Sequence, residues 1–467
     1  MENKTKRNSF GGSIGFVLAA AGSAVGLGNI WRFPYLAAKD GGGLFLVVYI
    51  ILALTFGFTL LTSEIAIGRK TKQSPLTAYG KINKKWNWLG PIACVVPMLI
   101  LPYYCAIGGW VLKYFITFLT GNGFSAAEEG YFKSFTSGQV EPIIMLVIFL
   151  AATAFVVFRG VNKGIESLSK ILMPALLVLI LVIAIFSLTI SHTDENGITR
   201  TGLEGFRVYV VPNFDNITIS SFFTTVMDAM GQLFYSLSVA MGIMITYGSY
   251  VRDDDHLGKS INRIEIFDTI VAFLAGVMII PAVFTFSGSE GLSASGPGLM
   301  FVSLPKVFAA MGPIGNVVGC LFFAMVLFAA LTSSVSILEA IVSSFMDKFN
   351  MSRNKAVSLE TIISLVLGVV VCLGYSILYF ETTLPNGSTS QILDIMDYIS
   401  NNILMPVVAI GTCILIGWIA KPKTVTDEVE KTGNKMGRKG LYVVMVKFVT
   451  PILLLLLLLK SLGVQIF

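Results

Sequence analysis

The chain is built around apolar runs too long for an ordinary soluble fold. A helix needs about 20 consecutive apolar residues to cross the hydrocarbon core of a bilayer. Eleven segments reach roughly that length: 13–37, 44–68, 90–120, 140–158, 166–190, 220–250, 261–287, 308–347, 355–380, 392–420 and 440–463. In lipid, backbone polar groups are satisfied only within helices or around a closed barrel. Barrel strands would be about 10 residues long, with alternating hydrophobicity. These runs are longer and continuously apolar, so the expected fold is an all-α membrane protein with 11 transmembrane helices.

Composition excludes the soluble classes. Of the 467 residues, 55% are hydrophobic and only 13% are charged, against about 25% charged in soluble domains. Mean hydropathy is +0.79. A soluble enzyme, a nucleic-acid binder and a disordered chain all need more polar surface, so the expected surroundings are a lipid bilayer, with no nucleic-acid partner. Cys94, Cys105, Cys320, Cys372 and Cys413 sit in apolar runs with no CxxC spacing, and read as small buried hydrophobes. His192 and His256 lie in separate polar loops, which argues against a zinc site. The first apolar run is too long for the core of a signal peptide and has no small-residue cleavage pattern after it; no cleavable signal is expected.

The basic residues give an orientation. Lys4, Lys6 and Arg7 precede the first span; Arg69, Lys70, Lys72, Lys81, Lys84 and Lys85 follow the second; Lys421, Lys423, Lys431, Lys435, Arg438 and Lys439 precede the last. With the other loops of the same parity, 24 of the 33 Lys and Arg residues fall on one side. Positive charge marks the cytoplasmic face. The chain is therefore expected in the cell membrane, plasma or inner, as a multi-pass protein with its N-terminus cytoplasmic and its C-terminus outside.

Two spans have interiors unlike the rest. The first reads AAAGSAVGLGNIWRFP, with Gly22, Gly26 and Gly28 inside it; the sixth reads GQLFYSLSVAMGIMITYGSY, with Ser236, Ser238 and Gly242. Each glycine costs about 1 kcal/mol relative to alanine in a helix. Close packing of small residues would explain glycines alone. The two segments, however, lie five spans apart, and interruptions at matching positions of two halves point to the binding site of an inverted-repeat transporter. The organisation expected is a cytoplasmic tail at 1–12, repeat one at 13–190 (helices 1–5), an extracellular loop at 191–219, repeat two at 220–420 (helices 6–10), a cytoplasmic loop at 421–439 and helix 11 at 440–467.

These residues carry a resemblance. GSAVGLGNIWRFPYLAAKDGGG at 22–43 resembles the first-span signature of the neurotransmitter:sodium symporters. SEIAIGR (63–69), LPYY (101–104), GQLFYSLSVAMG (231–242), ITYGSYVR (245–252), ALTSSVS (330–336) and DIMDY (394–398) extend it along the chain. The likeness is to the bacterial eleven-helix type, whose members carry leucine and other hydrophobic amino acids. It implies a 5+5 inverted repeat with broken helices 1 and 6, and sodium-coupled symport by alternating access, with two sodium sites and no enzymatic step.

The same resemblance assigns roles. One sodium would take the carbonyl of Ala24, Asn29, Ser236, Asp268 and the substrate carboxylate. Asp268 stands where an asparagine is commoner in the family. The other sodium would take the carbonyls of Gly22, Val25 and Ala329 and the hydroxyls of Thr332 and Ser333. The substrate carboxylate would meet the N–H groups of Leu27 and Gly28, where a half-helix start favours an anion, together with the Tyr104 hydroxyl. Its ammonium would meet free carbonyls and Ser238. Its side chain would enter a pocket of Ser23, Ala24, Ile100, Tyr235, Ser236, Met241, Ser333 and Ile337. Arg32 and Asp397 would form an outer gate; Arg7, Phe10, Tyr250 and Asp347 an inner one. Glu64 would be a buried acid near the first sodium. Gly164 and Pro174 would bracket a segment of span five that unwinds to let water reach the second sodium. Glu339 replaces a usual polar neutral residue and receives no role.

Each of these residues also has a plain structural reading. Thr332, Ser333 and Ser334 can bond back to their own helix carbonyls, pocket apolar residues can be packing, and Asp268 can sit solvated at the membrane edge near Glu265 and Arg263. An amine carrier of this family would place an aspartate in the first-span pocket, where this chain has Ser23 and Ala24. An ion channel would need a continuous pore. An enzyme would need a nucleophile–base pair or cofactor motif. The expected activity is uptake of hydrophobic or aromatic L-amino acids, without chloride.

Overall fold

The computed structural model describes residues 9–194, 196–214, 217–292 and 296–464. Among them nine helices are long and apolar enough to cross a membrane: Gly43–Thr71, Lys84–Leu119, Glu141–Phe158, Val161–Thr189, Leu257–Gly291, Pro313–Phe349, Arg353–Leu373, Ile392–Ile419 and Lys439–Ser461. A tenth span is the bent pair Ser13–Ala24 and Gly28–Lys39, whose halves meet at 53°. The remaining expected span, the sixth, is split into Ile219–Ser236 and Ile243–Tyr250. Neither half qualifies alone: the first carries Asp228, Gln232 and five Ser or Thr side chains, and the second has only 8 residues. In chain order these are spans one to eleven.

Several boundaries move. Span eight starts at Pro313, not 308, because Gly312 adopts φ 68° and separates it from a short helix at Leu304–Ala310. Span nine ends at Leu373, and the apolar stretch after it turns into a small hairpin, Thr382–Thr383 with Thr389–Ser390. Span seven is longer than expected at both ends. The loop at 191–219 holds a hairpin of Ser191–Thr193 with Thr199–Thr201 and a helix, Gly202–Val210. The helix is capped by Thr201 and Glu204 bonding each other's backbone, an arrangement that satisfies orphan N–H groups.

Span three is the most enclosed, and span eleven the most open to the surroundings. Isoleucines, valines and leucines such as Val47, Ile148, Ile171, Val182 and Ile452 face outward, as a lipid-facing surface should. Helices in lipid gain little from hydrophobic association, so close backbone approach matters more. Span two and the second half of span six cross in this way. A Cβ on Gly68 would lie 1.9 Å from the Ile245 carbonyl oxygen, and one on Gly248 would lie 2.3 Å from that of Ile65. Neither position admits a side chain. The C-terminal end of span two is fixed by buried Arg69, which donates to Glu428 at 2.8 Å, to the Asp255 carbonyl at 2.9 Å and to the Glu428 carbonyl.

Candidate functional site

The site lies where spans one and six are both broken. The first half of span one stops at Ala24, Val25 is extended (φ −76°, ψ 91°), and the chain resumes in a wide turn over Gly28–Arg32. Asn29 stabilises this turn from inside, accepting from the Gly26 N–H at 3.3 Å. In span six, residues 237–242 are not helical. Ser238 and Ala240 have positive φ (52° and 61°) without being glycine. Such conformations cost of order 1–3 kcal/mol each and persist when neighbours over-determine them. Here the neighbours are specific. Glu64 accepts from the Ala240 N–H at 2.6 Å, and the Ser238 hydroxyl donates to the Ser23 carbonyl at 2.9 Å. Gln232 donates to the Gly28 carbonyl at 3.0 Å. Span six therefore satisfies carbonyls on either side of the span-one break, while Glu64 of span two satisfies the backbone of the span-six break.

Between them lies a small cavity of about 20 Å³, lined by Ser23, Ala24, Gly26, Gly28, Asn29, Ile100, Tyr104, Tyr235, Ser238, Met241, Ser333 and Ile337. Ten of the twelve residues expected to contact substrate are in that lining. Leu27 is buried outside it, and Ser236 belongs to a neighbouring cluster. Gly26 and Asn29 are additions. A Cβ on Gly26 would lie 2.9 Å from the Ser333 hydroxyl oxygen, and one on Gly28 would lie 2.4 Å from the Tyr235 ring, so bare backbone is what faces the cavity. The Tyr104 hydroxyl is buried and has no hydrogen-bond partner. A buried unpaired hydroxyl is costly, and it would pair with an oxyanion placed against the first break.

The expected sodium ligands fall into two groups. Asp268, fully buried, accepts at one carboxylate oxygen from Asn29 (2.9 Å) and from Ser236 (2.7 Å), while Tyr49 donates to the other at 3.4 Å. Asn29 also donates to Ser236 at 2.9 Å. The solvated membrane-edge reading of Asp268 fails, and Glu265 pairs instead with Arg438 at 2.6 Å. In the second group, Ser333 donates across to the carbonyls of Gly22 (3.4 Å) and Ser23 (3.1 Å). Thr332 donates to its own helix, at Phe328 (3.0 Å) and Ala329 (3.1 Å), which is the structural reading of that hydroxyl. Gly22 nevertheless faces Thr332, since a Cβ there would be 3.3 Å from its side chain. Val25 closes the first half of span one beside them.

The gates are laid out less symmetrically. Asp397 accepts from Tyr103 (3.0 Å) and Asn401 (2.6 Å), and is not in an ion pair with Arg32. Arg32 instead lines an outer cavity of about 470 Å³ with Lys39, Asp228 and Lys460. Tyr235 borders both this cavity and the inner one. On the other face, Arg7 lies outside the described residues, and Asp347 accepts from the Ser74 N–H at 2.7 Å. Phe10 donates its N–H to the Tyr250 carbonyl at 3.2 Å and packs edge-on to Tyr247 and Tyr250.

Three features were not anticipated. Glu339, left without a role, accepts two bonds from Arg353 (2.6 and 2.9 Å) and one from Tyr250 (2.6 Å). Buried Glu166, in the segment bracketed by Gly164 and Pro174, accepts from the Gly11 N–H at 2.8 Å and pairs with Lys170 at 2.7 Å. That segment is helical in this structure, a wide turn at Val161–Glu166 followed by Ser167–Thr189. Glu64 contacts the break of span six rather than the Asp268 cluster. Intramembrane carboxylates are the general signal that could have drawn attention to Glu166.

Comparison with known proteins places this geometry. The model of the Sodium:neurotransmitter symporter family matches residues 7–127 and 133–465. The sodium-dependent transporter YhdH of Bacillus subtilis is 33% identical over 464 residues, covering 97% of each chain. A sodium-dependent transporter of Haemophilus influenzae is 30% identical, covering 98% of this chain and 99% of its own. The sodium- and chloride-dependent GABA transporter 2 of Rattus norvegicus is 25% identical over 91% of this chain and 75% of its own. Among solved structures, MhsT in complex with L-phenylalanine superposes with a TM-score of 0.84 at 35% identity, covering 98% of this chain and 100% of that one. With its many apolar spans, the chain belongs to the sodium:neurotransmitter symporter family and is a sodium-dependent, multi-pass membrane transporter of a small molecule rather than an enzyme.

Proposed function

We propose that this protein imports hydrophobic and aromatic L-amino acids together with sodium, by alternating access and without chloride. The observation that carries the reading is the two-ended pocket. One end is polar and uncharged: bare backbone at Gly26 and Gly28, and the unpartnered Tyr104 hydroxyl. The other end is apolar, with Ile100, Met241 and Ile337. A neutral polar end suits a ligand that brings its own carboxylate and ammonium. An apolar end excludes a charged side chain, whose desolvation would go uncompensated. The L-phenylalanine in the MhsT structure is a ligand of that description.

In this reading one sodium binds the Ala24 carbonyl, Asn29, Ser236, Asp268 and the substrate carboxylate, so ion and substrate each complete the other's site. The second binds the carbonyls of Gly22, Val25 and Ala329 with Thr332 and Ser333, joining span one to span eight. Ser333 already spans that gap through its bonds to Gly22 and Ser23. The cavity of about 20 Å³ is too small for an amino-acid side chain, so loading requires a wall to move. Tyr235 separates it from the outer cavity and is that wall. Release inward requires Phe10 to leave Tyr250 and the start of span five to unwind between Gly164 and Pro174, in keeping with an N-terminus on the cytoplasmic face.

Uptake into proteoliposomes under a sodium gradient, competed by each of the twenty amino acids, tests the substrate class. Leucine, phenylalanine and tryptophan should compete strongly and charged amino acids not at all. Glycine or glutamate outcompeting those three would overturn it.

A further inference from the structure

A second cavity, of about 230 Å³, opens between span two, the start of span seven and the loop before span eleven. It shares no lining residue with the transport site. Its rim is cationic, with Lys259, Lys435 and Arg438, and His256 lies beside them. Arg438 is already compensated: it bonds Glu265 at 2.6 and 3.0 Å, bonds Asn262 at 2.7 Å, and stacks 3.6 Å over the Phe58 ring. His256 is engaged with Thr432 and Asn434. Of the nearby acids, Glu430 pairs with Lys439 at 2.7 Å. Among the described residues, Lys259 and Lys435 are in no ion pair.

Two further observations point to an anion. The 35-residue helix of span seven starts in this cavity at Leu257, and its N-cap residue His256 makes no side-chain cap bond. Its first backbone bond runs from the Ser260 N–H to the His256 carbonyl at 3.2 Å. The N–H groups of Leu257, Gly258 and Lys259 precede it, as the unsatisfied donors at a helix start do, at the positive end of the helix dipole. Independently, Thr62 lines the same cavity, is fully buried, and its hydroxyl has no partner. A cavity that presents uncapped amides, an orphan hydroxyl and two ammonium groups outside any ion pair is built for a phosphate-like anion.

Its position selects the source. Arg438 immediately precedes span eleven, Lys439–Ser461, so the rim lies where that span enters the membrane. Arg438 also donates to the Leu54 carbonyl at 2.9 Å. The side chains of Leu54 and of Ile266, next to Glu265, are exposed, and continue an apolar surface from the rim. We propose that this cavity binds the phosphate of an anionic glycerophospholipid. The phosphate meets the amides of Leu257–Lys259 and the ammonium groups of Lys259 and Lys435, with the Thr62 hydroxyl as a further donor, and the acyl chains lie against Leu54 and Ile266.

The test compares the full chain with Lys259→Gln/Lys435→Gln, with Thr62→Val, and with a control pair, Lys163→Gln/Lys355→Gln. Each is reconstituted in equimolar phosphatidylglycerol and phosphatidylcholine, and the lipid retained on purification is counted by native mass spectrometry. Wild type and control should retain phosphatidylglycerol preferentially. The double variant should lose about fivefold of that preference per lysine, and Thr62→Val a smaller part. A thermal-shift arm adds phosphatidylglycerol or inorganic phosphate to protein in zwitterionic nanodiscs; only the lipid should stabilise wild type. Equal retention of both lipids, an equal loss in the control pair, or a shift reproduced by inorganic phosphate would each overturn the proposal.

Discussion

The Ser238 hydroxyl donates to the Ser23 carbonyl at 2.9 Å, and the Ser23 hydroxyl donates back to Ser238 at 3.1 Å. These bonds join residues 215 apart in sequence, one in each helix break. Neither break could stand alone in lipid, because each leaves backbone groups that nothing apolar can satisfy. Joined, they form a polar seam between spans that still moves, since a neutral hydrogen bond contributes only about 1 kcal/mol net.

The two clusters beside that seam should respond separately to mutation. Asn29→Ala removes an oxygen from the Asp268 group, and Thr332→Ala one from the Ser333 group. Losing one ligand to a charged group costs about 1.5–3 kcal/mol. The sodium concentration for half-maximal substrate binding should therefore rise about tenfold or more in each variant. Sodium titration of ligand binding checks this, and unchanged sodium dependence in both would remove the assignment.

Gly28→Ala should abolish uptake while leaving the protein folded. Its Cβ would lie 2.4 Å from the Tyr235 ring, which must swing toward the outer cavity. The expected result is a normally inserted transporter with at least a hundredfold weaker binding, roughly the 3 kcal/mol that overpacking of a rigid site can cost. Gly440→Ala, at an exposed helical position with nothing within 4 Å and no positive φ, is the comparison. Binding retained in Gly28→Ala would mean that Tyr235 does not close against Gly28 when substrate is bound.

A further prediction concerns Arg353 and Glu339, which are 14% and 0% exposed. Removing one partner of a buried pair strands the other charge and typically costs about 3–5 kcal/mol. Arg353→Ala should lower thermal stability in detergent sharply. Adding Glu339→Gln should restore much of it, because the stranded carboxylate is then gone. If the double variant is no more stable than Arg353→Ala, Glu339 is not charged in the way this pair requires.

The architecture was legible because membrane insertion is governed by length and polarity, which a sequence displays directly. The sixth span, expected at 220–250, was legible as a run, but its split into two short halves was not: the first half carries Asp228 and Gln232, which the protein tolerates by placing them against span one and a polar cavity. The substrate pocket was legible only through motif resemblance, since its walls come from spans one, three, six and eight. The bonds from Arg353 to Glu339 and from Gly11 to Glu166 were not legible. The first links residues on either side of a helix end, and the second brings a tail to a carboxylate 155 residues away. Neither leaves a periodic trace. Asp268 lay between the two cases: its type was visible, but its burial depended on where span seven begins.

That burial carries the last prediction: sodium-driven uptake should not require chloride. Two sodium ions and a zwitterion leave a dry site with excess positive charge, and a nearby anion must offset it. One such attraction at 4 Å and an effective dielectric near 20 is worth roughly 4 kcal/mol. Asp268, bonded to Asn29 and Ser236, would supply a fixed carboxylate at the first sodium position proposed above. One turn along span seven, Ala272 is fully buried and has no hydroxyl with which to hold chloride. Replacing chloride by gluconate on both sides of the membrane should leave wild-type uptake within about twofold. Asp268→Asn removes the carboxylate while keeping a side-chain oxygen, so its uptake should fall at least tenfold, about 1.4 kcal/mol, and chloride should restore part of it if the ion can enter near Ala272. A large loss of wild-type uptake in gluconate would show that Asp268 does not supply the balancing charge.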